Sequence, residues 1–204
     1  QKRVYTFGNG KAEGNAKMLL SLVNDILDLS QIENNKMEIF PVKYSTEDMF
    51  NELIEVVRYR IEEKGLAFYV NIDSSIPSML YGDAKRIKQV LLNILVNAAK
   101  YTKDGSVTLT AKSEAVSKDK CELTISVLDT GIGIKSENIN TLFDSFSRGI
   151  GRDVNNIEGT GLGLSIVKHV VYYYKGDIHL TSKEDVGTKI TIELPIVVKE
   201  TPES

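Results

Sequence analysis

The chain has 204 residues, with 25 Lys+Arg against 28 Asp+Glu, two histidines, one cysteine, no tryptophan and a net charge of −3. That length suits one domain plus an appendage and buries a core without staples, while the near-balanced charge leaves no general nucleic-acid footprint. Cys121 alone excludes an internal disulfide and a cysteine-built zinc site, two histidines leave little for a metal cluster, and no apolar run approaches the ~18 residues of a membrane span.

No signal peptide is visible and the chain starts at Gln1, so it reads as a soluble piece of something longer. Residues 1–10 form an irregular leader without a period. From Lys11, Leu19, Leu22, Ile26 and Leu29 recur three, four and three apart on a polar background, predicting a helix to about Glu33. Two heptads fit an amphipathic helix on a local core and a coiled-coil seam equally well. Asn34-Asn35 stops the pattern and Pro41 marks an extended passage.

The remainder reads as α+β. An amphipathic helix is predicted over Glu47–Glu63, with Phe50, Leu53, Ile54, Val57 and Ile61 inward and Gly65 closing it. Leu66–Ile72 reads as a short strand. Asp83 is a cap for a helix running to about Lys100 that buries Ile87, Val90, Leu91, Ile94 and Ala98. Ser106–Ser113 and Glu122–Leu128 alternate as strands around the charged loop Val116–Lys120. A glycine-dotted polar stretch leads to a helix over Leu162–Tyr174, then a hairpin of Asp177–Ser182 and Thr188–Leu194 ending at Pro195. Lys199–Ser204 looks like a linker.

Seven of the 15 glycines fall between Gly131 and Gly163. Gly159, Thr160, Gly161, Leu162 and Gly163 run directly into a helix, where exposed amides and the positive dipole end make an anion site. The spacing is G-x-G-x-G after a polar run, not the G-x-G-x-x-G after a strand of a dinucleotide fold, and alone it also fits a flexible turn. On the Asp83–Lys100 helix, Arg86, Gln89, Asn93, Asn97 and Lys100 are three, four, four and three apart, a single polar stripe. A solvated face is the plain alternative, but asparagine is a poor mid-helix residue and a wet face would more readily carry Glu, Lys or Gln. Two amide oxygens one turn apart suit a hydrated Mg²⁺ carried by phosphates, with Lys100 reaching a phosphate as a point charge. Asp129-Thr-Gly-Ile-Gly133 ends a strand, where a carboxylate can accept from a ligand amine while glycine gives room. The alternatives are a capped turn, or an aspartic protease half-site, which needs a second carboxylate and would leave the asparagine stripe unexplained.

The ordered set decides among these readings. RIKQVLLNILVNAAKYT (Arg86–Thr102), LDTGIGI (Leu128–Ile134), LFDSFSR (Leu142–Arg148), GTGLGLSIVK (Gly159–Lys168) and GTKITIELP (Gly187–Pro195) resemble, in order, the N box, first glycine box, F box, second glycine box and final strand of the sensor histidine kinase catalytic domain. The resemblance covers about Met37 to Val198, and Leu19–Met37 is similar to the second helix of the family's dimerisation hairpin.

The resemblance implies an α/β sandwich, a mixed sheet packed against helices with ATP between the layers. It implies a partial dimerisation hairpin over 11–38, the catalytic domain over 39–198 and a tail over 199–204. Asp129 would accept from the adenine amine, with Gly131 and Gly133 shaping that wall and Tyr101 lining the base or sugar. Asn97 would be the main Mg²⁺ ligand with Asn93 beside it, and Lys100 would touch phosphate. The amides of Gly161 to Leu164 would hold the phosphates, with Gly159 and Thr160 leading in and Thr188 on the final strand. The segment after Phe146 resembles the mobile lid, rooted by Phe143 and Phe146, with Arg148 reaching the γ-phosphate. Superfamily relatives that hydrolyse ATP place Glu where Asn93 stands; an asparagine cannot take the proton from water, which disfavours a hydrolytic clamp. Asn93 and the dimerisation-type helix also disfavour a serine kinase or anti-sigma factor of the same fold.

One departure stands out. The family's phosphoacceptor histidine precedes Glu near Arg-Thr-Pro, and this sequence has no such motif; His169 and His179 fall inside a helix and a strand and read as structural. The expectation is therefore a protein-histidine kinase core using ATP and Mg²⁺ that does not autophosphorylate alone. Its partners would be an acceptor-histidine helix, a response regulator receiver domain and a second copy through residues 11–38. It would sit in the cytoplasm, its parent free or membrane-anchored. The alternative is a nucleotide-binding regulatory module without transfer activity.

Overall fold

The computed structural model describes residues 37–139, 142 and 163–198, together with 23, 24, 26–28, 30–32 and 34. The chain divides into two compact units after Met37. In the first, the described residues from 23 to 32 are helical, and Val23, Ile26 and Leu27 are exposed. Leu19, Leu22 and Leu29, the rest of the expected seam, lie outside the described residues.

The second unit carries seven strands in one mixed sheet, in the order β1-β3-β7-β5-β4-β2, with β6 also pairing β7. The strands are β1 (Val42–Ser45), β2 (Ala67–Ile72), β3 (Met79–Gly82), β4 (Ser106–Ala115), β5 (Lys120–Asp129), β6 (Asp177–Lys183) and β7 (Gly187–Val197). Every pairing is antiparallel except β2 with β4. Helices α1 (Thr46–Glu63), α2 (Ala84–Tyr101) and α4 (Gly163–Tyr173) pack on the sheet with α2 in the middle, touching α1 on one side and α4 on the other; α3 (Ser136–Ile139) is a single turn. Alternation sends Leu109 of β4, Leu123 and Ile125 of β5 and Ile192 of β7 into the core against Leu91 and Leu95 of α2, all under 2 % exposed. Each such side chain contributes roughly 1.5–3 kcal/mol on burial. The architecture is the α+β sandwich expected from the sequence.

Local chemistry explains the helix limits. Ser45 Oγ accepts from the Asp48 amide at 3.2 Å and Glu47 and Asp48 sit at the positive end of α1. At the other end Leu66 N–H donates to Ile61 O at 3.2 Å and Gly65 N–H to Glu62 O at 2.8 Å, with Gly65 at φ +73, a Schellman close. Asp83 caps α2, its Oδ1 accepting from the Arg86 amide at 3.0 Å.

Three features depart from the sequence reading. Strands β1 and β3 were not expected; each has four residues, too few to show a period, and they follow Pro41 and Pro77 closely. The last strand does not end at Pro195 but runs to Val197. Beyond Glu193, the last residue of β7 paired with β6 (to Asp177), the outer edge of β7 meets β3 only at Val197, so a residue without N–H is tolerated between. Ile54 of α1 is only half-buried, its place inward taken by Met49. Among the described residues no helix is long and apolar enough to cross a membrane.

Candidate functional site

The polar stripe of α2 is partly enclosed: Arg86, Gln89, Asn93, Asn97 and Lys100 are all half-buried, as is Lys88 beside it, whereas Lys85 is exposed. The stripe divides in two. At its start Arg86 Nη1 donates to Gln89 Oε1 at 2.9 Å, a bond within the helix face. Further on, Asn93 Nδ2 donates to the Gly163 carbonyl at 3.3 Å, which ties the helix to the first residue of α4. A Cβ on Gly163 would lie 3.4 Å from Asn93 Cγ, in van der Waals contact with that side chain. The Asn97 amide bonds to no described residue, and Lys100 Nζ stands 4.8 Å from the centre of the Tyr101 ring with no described carboxylate in ion-pair reach.

Asp129 ends β5 and is buried. Its Oδ1 accepts from the Gly131 amide at 2.9 Å and the Thr188 amide at 3.3 Å; Oδ2 accepts from no described residue. Burial pushes its carboxyl up from the ordinary range, and the two amides pull the other way. Thr188 thus serves Asp129 through its backbone, while its hydroxyl lies 2.8 Å from Ser182 Oγ.

The loop after Asp129 is gripped from both sides. Ile132 N–H donates to the Tyr101 carbonyl at 3.1 Å, joining the loop to the last residue of α2. On the far side Asp185 N–H donates to Ile132 O and Ile134 N–H to Ser182 Oγ, both at 2.8 Å. Such proximity explains the glycines. A Cβ on Gly131 would fall on the Tyr101 carbonyl oxygen and crowd Asp129 Oδ1, and one on Gly133, at φ +67, would fall on the Lys183 carbonyl.

The structure therefore brings together Asn93, Asn97, Lys100, Tyr101, Asp129, Gly131, Gly133, Gly163, Leu164 and Thr188 along α2 and the elements beside it. Arg148, Gly159, Thr160, Gly161 and Leu162 lie outside the described residues, as do Phe143, Phe146 and the expected lid. His169 is exposed on α4, and His179 Nε2 lies 3.4 Å from Glu193 Oε2 on the sheet face away from the helices. Thr102 and Ser182 were missed. Thr102 is buried against Ala98 O at 2.8 Å and borders Gly131, and Ser182 braces the loop from 48 residues away; neither has a local sequence signal.

The site fits a nucleotide and a hydrated divalent ion. One carboxylate oxygen beside a glycine wall can accept from an amine, two neutral amide oxygens one turn apart suit an ion already carrying phosphates, and Lys100, with no described carboxylate partner, follows about one turn further along α2. The family model for histidine kinase-, DNA gyrase B- and HSP90-like ATPases matches residues 82–198. The chain belongs to this family.

Within the family its likeness is to sensor histidine kinases. It is 40% identical over 191 residues to hybrid signal transduction histidine kinase B of Dictyostelium discoideum, covering 94% of this chain and 10% of that protein. To the sensor histidine kinase RcsC of Escherichia coli strain K12 it is 33% identical over 189 residues, covering 92% and 19%. The crystal structure of full-length ShkA in complex with AMPPNP superposes with a TM-score of 0.75 at 27% identity, covering 98% of this chain and 42% of that one. The chain thus spans a tenth to a fifth of these curated relatives and corresponds to the ATP-binding catalytic domain of histidine kinases.

Proposed function

We propose that this chain is the ATP-binding catalytic core of a two-component sensor histidine kinase, passing the γ-phosphoryl group of ATP to a histidine on a dimerisation helix outside these 204 residues. The observation that carries the reading is the convergence on α2: Asn93 bonds to the start of α4, and the Tyr101 carbonyl at the helix end bonds to the loop that holds Asp129.

In this reading Asp129 Oδ2 accepts from the adenine amine, Gly131 and Gly133 leave space for the ring, and Tyr101 lines the base or sugar. Thr188 holds Asp129 in place through its amide. Asn97, assisted by Asn93 through the oxygen its Gly163 bond leaves free, would hold Mg²⁺. That ion, when bound, neutralises charge on the phosphates. Lys100 and Arg148 add positive charge, and the amides of Gly161 to Leu164 cradle phosphate oxygens. Asn93 cannot accept a proton, so no residue at that position activates water, and transfer to a side chain is favoured over hydrolysis. Residues 11–38 would form the second half of a dimerising hairpin, preceded by a leader over 1–10, with 39–198 the catalytic domain and 199–204 a tail. A receiver domain would take the phosphoryl group next, on the cytoplasmic side of the parent protein.

The test mixes this chain with γ-labelled ATP and a separate helical hairpin bearing an acceptor histidine. Acid-labile label on the hairpin is expected. Nucleotide binding with no label transferred would replace the kinase by a regulatory nucleotide-binding module.

A further inference from the structure

The end of α2 has no local stop signal. Thr102 follows in extended conformation, and no glycine comes before Gly105. A helix end leaves its last carbonyls without intrahelical donors, and these must be satisfied elsewhere. Here every one of them is met by a side chain or a distant backbone. Thr102 Oγ1 donates to Ala98 O at 2.8 Å, and Ile132 N–H donates to Tyr101 O at 3.1 Å. The two between belong to Lys64, whose Nζ donates to Ala99 O at 2.7 Å and to Lys100 O at 3.2 Å. Lys64 is the C-cap of α1, and its backbone is fixed by the Schellman close at Gly65.

This puts a full positive charge on the negative end of the α2 dipole, in the turn that carries Asn97, Lys100 and Tyr101. It also removes a competitor. A lysine in the last turn of a helix is itself well placed to fold back onto the terminal carbonyls. With those carbonyls held by Lys64, the Lys100 ammonium lies over the Tyr101 ring instead.

We propose that Lys64, on a helix that contributes no residue to the nucleotide pocket, is a positioning residue for nucleotide binding: it holds the last turn of α2 and keeps Lys100 free for phosphate. The inference rests on the nucleotide site proposed above.

The test measures the affinity of the full chain for a non-hydrolysable ATP analogue with magnesium, at a temperature well below every melting point. The variants are Lys64→Met, Lys64→Arg and, as a control, Thr46→Val. Thr46 bonds to the Pro77 and Ser78 carbonyls at 2.7 and 3.1 Å, at the opposite end of α1, and its loss lowers stability without touching α2. Lys64→Met is expected to weaken binding about tenfold, the scale of a lost charge-assisted hydrogen bond, and Lys64→Arg to restore it to within about twofold. Thr46→Val should lower the melting temperature and leave affinity unchanged. Wild-type affinity in Lys64→Met, or an equal loss in Thr46→Val, overturns the role of Lys64 while the nucleotide site stands. A wild-type chain that does not bind the analogue overturns both.

Discussion

Asp129 divides its work between two oxygens. Oδ1 is committed to the Gly131 and Thr188 amides and fixes the loop, which leaves Oδ2 to meet a ligand. Asp129→Asn keeps an acceptor for both amides but turns the other oxygen into a donor that repels an adenine amine. Nucleotide affinity should fall about tenfold or more, with stability changed by only about 1 kcal/mol. Calorimetric titration beside a melting curve checks this, and wild-type affinity in the variant would remove Asp129 from the site. Burial raises the carboxyl above its unfolded value, so the folded state holds its proton to higher pH. Between the unfolded and folded values the folded chain binds more protons, and stability therefore falls as pH rises through that window. In the proposed site binding would run the other way, because the adenine amine would need the ionised acceptor. Wild-type affinity should weaken as pH falls through the raised value, and Asp129→Asn should flatten that profile. The residue itself was legible as a strand-end aspartate before two glycines. Its burial and the Thr188 amide that opposes the effect of that burial were not, since the amide comes from 59 residues away.

Among the elements, the edge formed by β1 and β3 carries an imperfection that can be measured. Tyr44 of β1 is buried, and among the described residues its hydroxyl is the one enclosed side-chain polar atom with no hydrogen-bond partner. Nearby, Tyr174 is satisfied, accepting at 2.8 Å from the Asp83 amide at the start of α2. Tyr44→Phe deletes an unpaired polar atom at almost no cost in packing, so it should stabilise the domain by about 1 kcal/mol and raise its melting temperature. A loss of stability instead would show that the hydroxyl is bonded to an internal water. Burial also holds the Tyr44 phenol well above its usual range, so above the ordinary tyrosine value the unfolded chain ionises first and stability falls with rising pH. The substitution should lessen that alkaline loss. None of this was legible beforehand, because four-residue strands carry no readable period. The helices were legible, since eighteen residues of α1 and of α2 display their buried faces several times over.

For the whole molecule, the site is assembled from α2, the β5 end, the β6–β7 turn and the start of α4, so a ligand bound there ties together elements distant in the chain. ATP with magnesium at about 100 times its dissociation constant should stabilise the fold by about 2.7 kcal/mol. Chelating the magnesium should remove most of that gain, as a thermal shift with and without chelator would record; an undiminished shift would argue against Asn97 and Asn93 as metal ligands. The sequence by itself determined the fold class, the long helices, the strands with clear alternation and the order of the glycine and asparagine motifs. Those signals are local: a period, a cap, a glycine cluster. Tertiary structure alone decided that Asn93 meets Gly163, that the Tyr101 carbonyl takes the Ile132 amide and that Lys64 closes α2 from another helix. It also decided that β7 continues past Pro195, because only the sheet leaves that edge without a partner. These are bonds between backbone groups and residues 31 to 70 positions apart, and neither end of such a bond announces the other in its own neighbourhood.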